Sequence, residues 1–334
     1  MRRILLLLVL AALVVGGVKL YPTVKKYWPS ATTTTTTTTT TAPPTAPLTG
    51  LSDPSGLSVT RPALVIKIEN TPDARPLFGV NHADMVYEEI VNGGITRLAA
   101  VFNSSTPDKV GPVRSVRPTD RSLIWPFGGI FAYSGGAPYA IEAVRSAPVI
   151  MVTESRARAA MFRDPARYAP HNLYAHAAGL FAFGGTPVPP QRMLTYLSPG
   201  QGVTGTRVSS VCAKFPSIYS VTWHWNAATA SWDRNIFGKL DVTGTGERIS
   251  PQNLVVMFIN YAGGVGTFNS VGVLEGSGRV VVFEKGKEIV GTWSRSTLSD
   301  PISYRTAAGK TIVMTPGQTW VELLNTGAGL TTTP

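Results

Sequence analysis

Two stretches of this 334-residue chain concentrate side chains that hold or transfer charge. The first reads Gly-Gly-Ile-Thr-Arg (93–97) and then Gly-Pro-Val-Arg-Ser-Val-Arg-Pro (111–118), supplying Arg97, Arg114 and Arg117. The second reads Phe-Arg-Asp (162–164) and then Pro-His-Asn-Leu-Tyr (170–174), adding Arg163, Asp164, His171 and Asn172. Arginine outnumbers lysine four to one between Gly93 and Pro126, and lysine is absent between Ser155 and Pro170. A guanidinium is a rigid fork that grips carboxylate or phosphate through two parallel bonds, whereas lysine is a point charge. The stretches therefore point to a preformed site for an anionic ligand. The alternative for any single arginine is a structural pair, for instance with Glu88 or Glu89. His171 is the candidate general base, with a reference pKa of about 6.5; the alternative is a hydrogen-bonded loop histidine. Ser134-Gly135-Gly136 lies between an expected strand and an expected helix, where backbone N–H groups and the helix dipole attract anions. Glu88 and Glu89 would form an acid–base pair for glycoside cleavage, except that neighbours on a strand face opposite ways.

Other chemistries are excluded or unsupported. There is no Gly-x-Ser-x-Gly elbow, Walker-type loop or His-Glu-x-x-His. His82, His176 and His224 lack ligand spacing, and the sole Cys212 rules out paired-cysteine zinc sites. No metal or cofactor is expected, and Cys212 reads as a small buried hydrophobe. The net charge is +11, but Arg2, Arg3, Lys19, Lys25 and Lys26 fall in the first 50 residues, where no acid occurs. The rest carries 25 Lys and Arg against 19 Asp and Glu. That moderate excess, without basic runs interleaved with aromatics, favours an anionic envelope partner and argues against nucleic acid.

The elements that must position these residues alternate in type. Strands are expected at 63–69, 96–103 and 130–133, and helices at 120–125 (Thr119 as N-cap), 138–146 and 175–183. After about residue 205 short strands dominate: 221–225, 231–235, 254–261, 279–284, 288–293 and 319–323, with turns at 284–287 and 307–310. The expected fold class is α+β, with an α/β N-terminal domain (57–205), a mainly β C-terminal domain (206–325) and a flexible tail (326–334). Trp223, Trp225, Trp232, Trp293 and Trp320 either line a carbohydrate groove or fill a sandwich core.

Ahead of these domains, Met1-Arg2-Arg3 precedes an apolar run from Ile4 to Val18, which spans roughly 22 Å as a helix. Without an Ala-x-Ala-like cleavage site, residues 1–21 read as an uncleaved signal anchor, a transmembrane segment that tethers the protein outside the cytoplasm. Cleavage would make it secreted. No cysteine follows the run for lipid attachment. Residues 22–56, with ten consecutive threonines at 32–41 and then Ala-Pro-Pro-Thr-Ala-Pro, read as an extended low-complexity linker open to O-glycosylation.

From about residue 60 to 325 the chain resembles the YerB-like proteins, a domain family of unknown function (DUF3048). The resemblance is carried by Ala-Arg-Pro (74–76), Asp-Met-Val-Tyr-Glu (84–88), the two arginine motifs, Phe-Arg-Asp and His-Asn-Leu-Tyr. Gly-Thr-Trp (291–293) and Pro-Gly-Gln-Thr-Trp (316–320) extend it into the second region. It implies a bacterial envelope protein with an α/β N-terminal domain and a separate C-terminal domain, and it implies no activity. Many relatives look like lipoproteins, from which this chain departs by lacking the lipobox cysteine. The function read from the residues is a membrane-tethered extracytoplasmic protein binding an anionic cell-wall polymer or envelope protein. The alternative is a hydrolase or transferase acting on a wall polymer with His171 as base.

Overall fold

The computed structural model describes residues 42–184 and 188–334. The expected signal anchor (1–21) and the threonine tract lie outside them. Among the described residues no helix is long and apolar enough to cross a membrane. Residues Pro43–Pro334 form one compact unit.

The strands of the first region are β1 (Leu64–Glu69), β2 (Met85–Ile90), β3 (Thr96–Phe102), β4 (Ile130–Tyr133), β5 (Ile150–Thr153), β6 (Met161–Arg163) and β7 (Leu173–Ala175). Then come β8 (Thr206–Arg207), β9 (Ser210–Lys214), β10 (Ser220–Asn226), β11 (Ser231–Ile236), β12 (Lys239–Leu240), β13 (Asn253–Ile259), β14 (Tyr261–Ala262) and β15 (Val271–Gly272). The last five are β16 (Gly276–Glu284), β17 (Lys287–Arg295), β18 (Ser303–Thr306), β19 (Thr319–Asn325) and β20 (Leu330–Thr333). An eleven-stranded sheet runs β18-β17-β16-β13-β19-β2-β3-β1-β4-β5, with β8 added against β17. A five-stranded sheet runs β12-β11-β10-β9-β20.

Strand β19 decides the architecture. It lies between β13 and β2 and runs parallel to both, so a segment near the chain's end carries one sheet through both halves of the sequence. β1, β2, β3 and β13 are buried along their whole length, as strands covered on both faces must be. Side chains alternate between the faces. On one face the helix Asp120–Ile124, beside the helix Pro138–Arg145, reaches the odd-numbered residues of β1 through Asp120 and Lys67. On the other, β9 and β11 of the smaller sheet pack on β19 and β13.

The tryptophans fill that second interface. Trp223, Trp232 and Trp320 are fully buried, Trp223 and Trp320 meet edge to face at 5.4 Å, and Trp232 meets Phe283 at 5.8 Å. Trp293 is also buried, its indole N–H bonded to the Phe258 carbonyl at 3.0 Å. They build the core and not a groove.

Several expectations change. Strand far outweighs helix, so the chain is mostly β, and a distinct α/β layer in the first region is not evident. The helices there, Asp120–Ile124, Pro138–Arg145 and Ala177–Phe181, have five, eight and five residues. Pro126, Pro148 and Gly184 soon follow them and cut the helical periodicity short. Thr119 does not cap its helix; its hydroxyl accepts the Gly272 N–H at 2.9 Å. The segment 326–334, expected to be a flexible tail, contributes β20, which pairs antiparallel with β9, and its threonines are good strand formers. Order also begins before Leu57. Ala46, Leu48 and Thr49 are buried, Asp53 caps the turn at Ser58 through N–H and hydroxyl bonds of 2.7 Å, and Gly50 sits against the Tyr196 ring. The Pro-rich composition hid one apolar anchor, Leu48.

Leu48→Ala should therefore lower stability by about 2–5 kcal/mol, the range for a buried leucine. Equilibrium urea unfolding measures it. A change within about 0.5 kcal/mol, as for an exposed residue, would contradict the packing of this segment.

Candidate functional site

The cluster begins with strand register. In the ladders β2–β3 and β3–β1, Glu89 pairs with Arg97 and Arg97 with Glu69, so these three form one row across the sheet. They share the helix-covered face with Lys67, two residues before Glu69. Lys67 is fully buried and its ammonium bonds both the Glu89 carboxylate and, at 2.7 Å, Asp120. Burial, with Glu89 nearby, raises Asp120 to about 6, while Lys67 opposes the shift.

The 111–118 segment is laid over the end of this row by backbone bonds. Arg114 N–H donates to the Lys67 carbonyl at 2.8 Å, Ser134 N–H to the Arg114 carbonyl at 3.0 Å, and Val116 N–H to the Gly135 carbonyl at 2.9 Å. That lacing brings Arg114 and Arg117 beside Arg97. The Arg114 guanidinium lies 3.2 Å from Glu69, and Arg117 Nε donates to Asn92 Oδ1 at 3.1 Å. Arg97 donates to the Ser115 carbonyl at 2.9 Å, but its Nε is buried with no acceptor. Arg97 is 4% exposed and, among the described residues, neither it nor Arg117 forms an ion pair. Burial and then the charges of Arg117 and Arg114 pull Arg97 down to about 9, against the pull of Glu69 and Glu89; it stays charged at neutral pH. Burial lowers Arg117 in the same way. His171 joins through Nδ1, 2.9 Å from Glu69 Oε2, while Thr71 donates to Glu69 Oε1 at 3.1 Å.

The turn after β4 completes the surroundings. Gly135 has φ +91°, with open space where a Cβ would stand. Among the described residues the N–H groups of Gly135 and Gly136 have no acceptor, whereas that of Ser134 is already bonded. A Cβ on Gly136 would collide with Val116, so only glycine lets the arginine segment pass there.

Of the residues singled out from the sequence, Arg97, Arg114, Arg117, His171, Ser134, Gly135 and Gly136 thus come together. Glu88 does not. It occupies the opposite sheet face, accepting from Arg234 at 2.6 Å and from Asn70 and Thr96 at 2.8 Å. Arg163 is held elsewhere by Glu154, at 2.8 and 2.7 Å, and by Asn172 Oδ1 at 2.9 Å. Asp164 is taken by Lys109 at 2.7 Å. Arg163 and Asn172 pair because the turn 163–172 folds back on itself, with Asp164 N–H bonded to the Asn172 carbonyl, whereas Lys109, the partner of Asp164, is 55 residues upstream. The cluster's Lys67, Glu69 and Asp120 went unnoticed as site residues, and Glu89 entered only as an arginine's partner or half of an acid–base pair. The available signal was Leu-Val-Ile-Lys-Ile-Glu (64–69), an apolar strand with two charges on one face.

The family model described as "Protein of unknown function (DUF3048) N-terminal domain" matches residues 48–185, and that of the DUF3048 C-terminal domain matches 211–321. The Bacillus subtilis (strain 168) protein named "Putative lipoprotein YerB" is 42% identical over 101 residues, a stretch covering 30% of this chain and 30% of that protein. The crystal structure of YerB protein from Bacillus subtilis superposes with a TM-score of 0.74 at 23% identity, covering 86% of this chain and 99% of that one, a likeness of fold.

Lys67 is the cation on which Glu89 and Asp120 both depend. Lys67→Met should cost about 3–5 kcal/mol, because two buried carboxylates lose their counter-charge. The native state would then hold its carboxyl protons more tightly than the unfolded chain, so stability should recover as pH falls and be lost as it rises, Asp120 being raised further without Lys67 to oppose the shift. Urea unfolding at pH 5 and pH 8 tests this; an equal loss at both values would refute it.

Proposed function

The chain belongs to the YerB-like DUF3048 family, and from that premise we propose a membrane-tethered envelope protein that binds an acidic ligand through Arg97, Arg114 and Arg117. The tether is the apolar run at 4–18; the relative named a lipoprotein supports membrane attachment as a family trait, although here the single cysteine, Cys212, lies in β9. The state of Arg97 carries the ligand reading. A buried guanidinium without a carboxylate partner and beside two like charges is held at a cost, which an arriving anion removes. Lys67, Arg97, Arg114 and Arg117 face Glu69, Glu89 and Asp120, leaving one positive charge in excess. Arg114 and Arg117 are partly exposed, so the excess is reachable from solvent. The free N–H groups of Gly135 and Gly136 add neutral donors. An anionic wall polymer or the acidic surface of another envelope protein supplies the matching charge.

A second reading rests on the His171–Glu69 contact. A carboxylate on Nδ1 fixes the imidazole's orientation and leaves Nε2 to accept a proton, the arrangement a general base requires. In this reading the arginines hold the acidic group of a wall polymer while His171 activates water.

Titration calorimetry with inorganic phosphate and acetate separates the outcomes. Arg114→Gln and Arg117→Gln should each weaken binding by roughly tenfold or more and flatten its salt dependence. Binding equal to that of the unaltered protein would remove these side chains from the ligand. For the second reading, mass spectrometry of wall fragments incubated with the full chain should reveal new products that His171→Gln reduces by about a hundredfold or more. Unchanged fragments would eliminate catalysis and leave binding.

A further inference from the structure

The arginine cluster has an aromatic rim. Tyr139, in the first turn of the helix that follows Gly135 and Gly136, is 47% exposed, and Phe268 is 76% exposed. Both are held in place. The Tyr139 hydroxyl donates to the Phe268 carbonyl at 2.9 Å, which ties the glycine-rich loop 263–270 to the helix. The other side of that loop is anchored where Gly93 N–H donates to the Gly266 carbonyl at 2.7 Å; a Cβ on Gly266 would meet the Gly94 backbone. Gly93 follows Asn92, whose side chain accepts from Arg117. Tyr139 is close enough to Arg117 to act on its charge. One exposed ring thus stands next to a guanidinium, with exposed Phe268 on the loop bonded to it, and the backbone is open at Gly93 and Gly135, where an added Cβ would meet nothing.

An exposed tyrosine fixed by a hydrogen bond, with an exposed phenylalanine on the loop it holds and donors without acceptors beside it, suits a ligand that is apolar on a flat face and polar at its edge. A pyranose has that shape, with its C–H groups on one face and hydroxyls around the ring. We propose that the site takes an acidic sugar: its carboxylate or phosphate meets Arg97, Arg114 and Arg117, and its ring lies on Tyr139 and Phe268. This inference rests on the anion reading above and adds the ring to it. A peptide carboxylate or bare phosphate would leave both aromatics unused.

The test compares five probes on the full chain in detergent: N-acetylmuramic acid, N-acetylglucosamine 1-phosphate, neutral N-acetylglucosamine, lactate and inorganic phosphate. The first two distinguish a carboxylate from a phosphate source. At least one should bind roughly tenfold or more tightly than its ringless counterpart and than the neutral sugar, a gap that two ring contacts can supply. The double variant Tyr139→Ala/Phe268→Ala should erase that gap while leaving lactate and phosphate affinities unchanged. Both residues are on the surface, so the variant keeps the fold, which its unfolding midpoint checks. Equal affinity for ringed and ringless acids, or an unchanged gap in the double variant, would overturn the sugar and spare the anion site. Absence of any binding, ringless acids included, would overturn both.

Discussion

Two neighbouring carboxylates on one buried strand set the terms for this fold. Glu88 and Glu89 in β2 are fully buried, and the pleat sends them to opposite faces of the large sheet. A carboxylate buried on either face needs a counter-charge. Glu89 is met by Lys67 from β1, which also holds the helix residue Asp120. Glu88 is met by Arg234 from β11, which binds Asp241 as well; Asp241 in turn holds Arg75. Each carboxylate therefore fastens a different layer to the sheet. A register slip of one residue would exchange the two faces and strand both sets of counter-charges, so the pairs act as a lock on register as much as a source of stability.

The two faces differ in how completely their arginines are compensated. Burial opposes the charge on Arg234, but Glu88, Asp241 and Glu322 together push its pKa above the ordinary arginine value. Glu322, across the ladder from Glu88, is itself raised well above the carboxyl range by burial and by that neighbour, and its Oε1 accepts the Trp223 N–H at 3.0 Å. In that network Arg234 is paired with two carboxylates, while its Nε and Glu322 Oε2 are buried without partners among the described residues. Arg97 differs: Glu69 and Glu89 flank it in the ladder without an ion pair, and Arg117 and Arg114 stand beside it. Sequence alone gives both residues the same appearance, and only the charges around each distinguish them.

What could be read in the sequence followed the range of the interaction concerned. Strands β1, β3 and β4 and the helix Pro138–Arg145 were legible within a residue or two, because apolar alternation and a proline at the first turn are local signals. The arginine motifs were legible for the same reason. The insertion of β19 between β13 and β2 was not, since nothing in Thr-Trp-Val-Glu-Leu (319–323) specifies a partner more than 200 positions upstream. The sorting of site residues was half legible. Arg97, Arg114, Arg117 and His171 converge through backbone lacing between β1 and the 111–118 segment, a long-range effect. Arg163 and Asp164 look equivalent in sequence, yet Glu154 and Asn172 nearby satisfy the first and Lys109, 55 residues upstream, satisfies the second. Glu88 was lost to strand parity, which could have been applied once β2 was recognised.

The placement of β19 also governs the order in which the protein can be made. Until residue 319 emerges, β2 and β13 each expose an unpaired ladder in what becomes the middle of the sheet. The central pairing is thus the most distant in sequence and, within the large sheet, the last for which the polypeptide exists. Closure of that sheet must wait until β19 has been made, which raises the barrier to folding and lengthens the life of sticky intermediates.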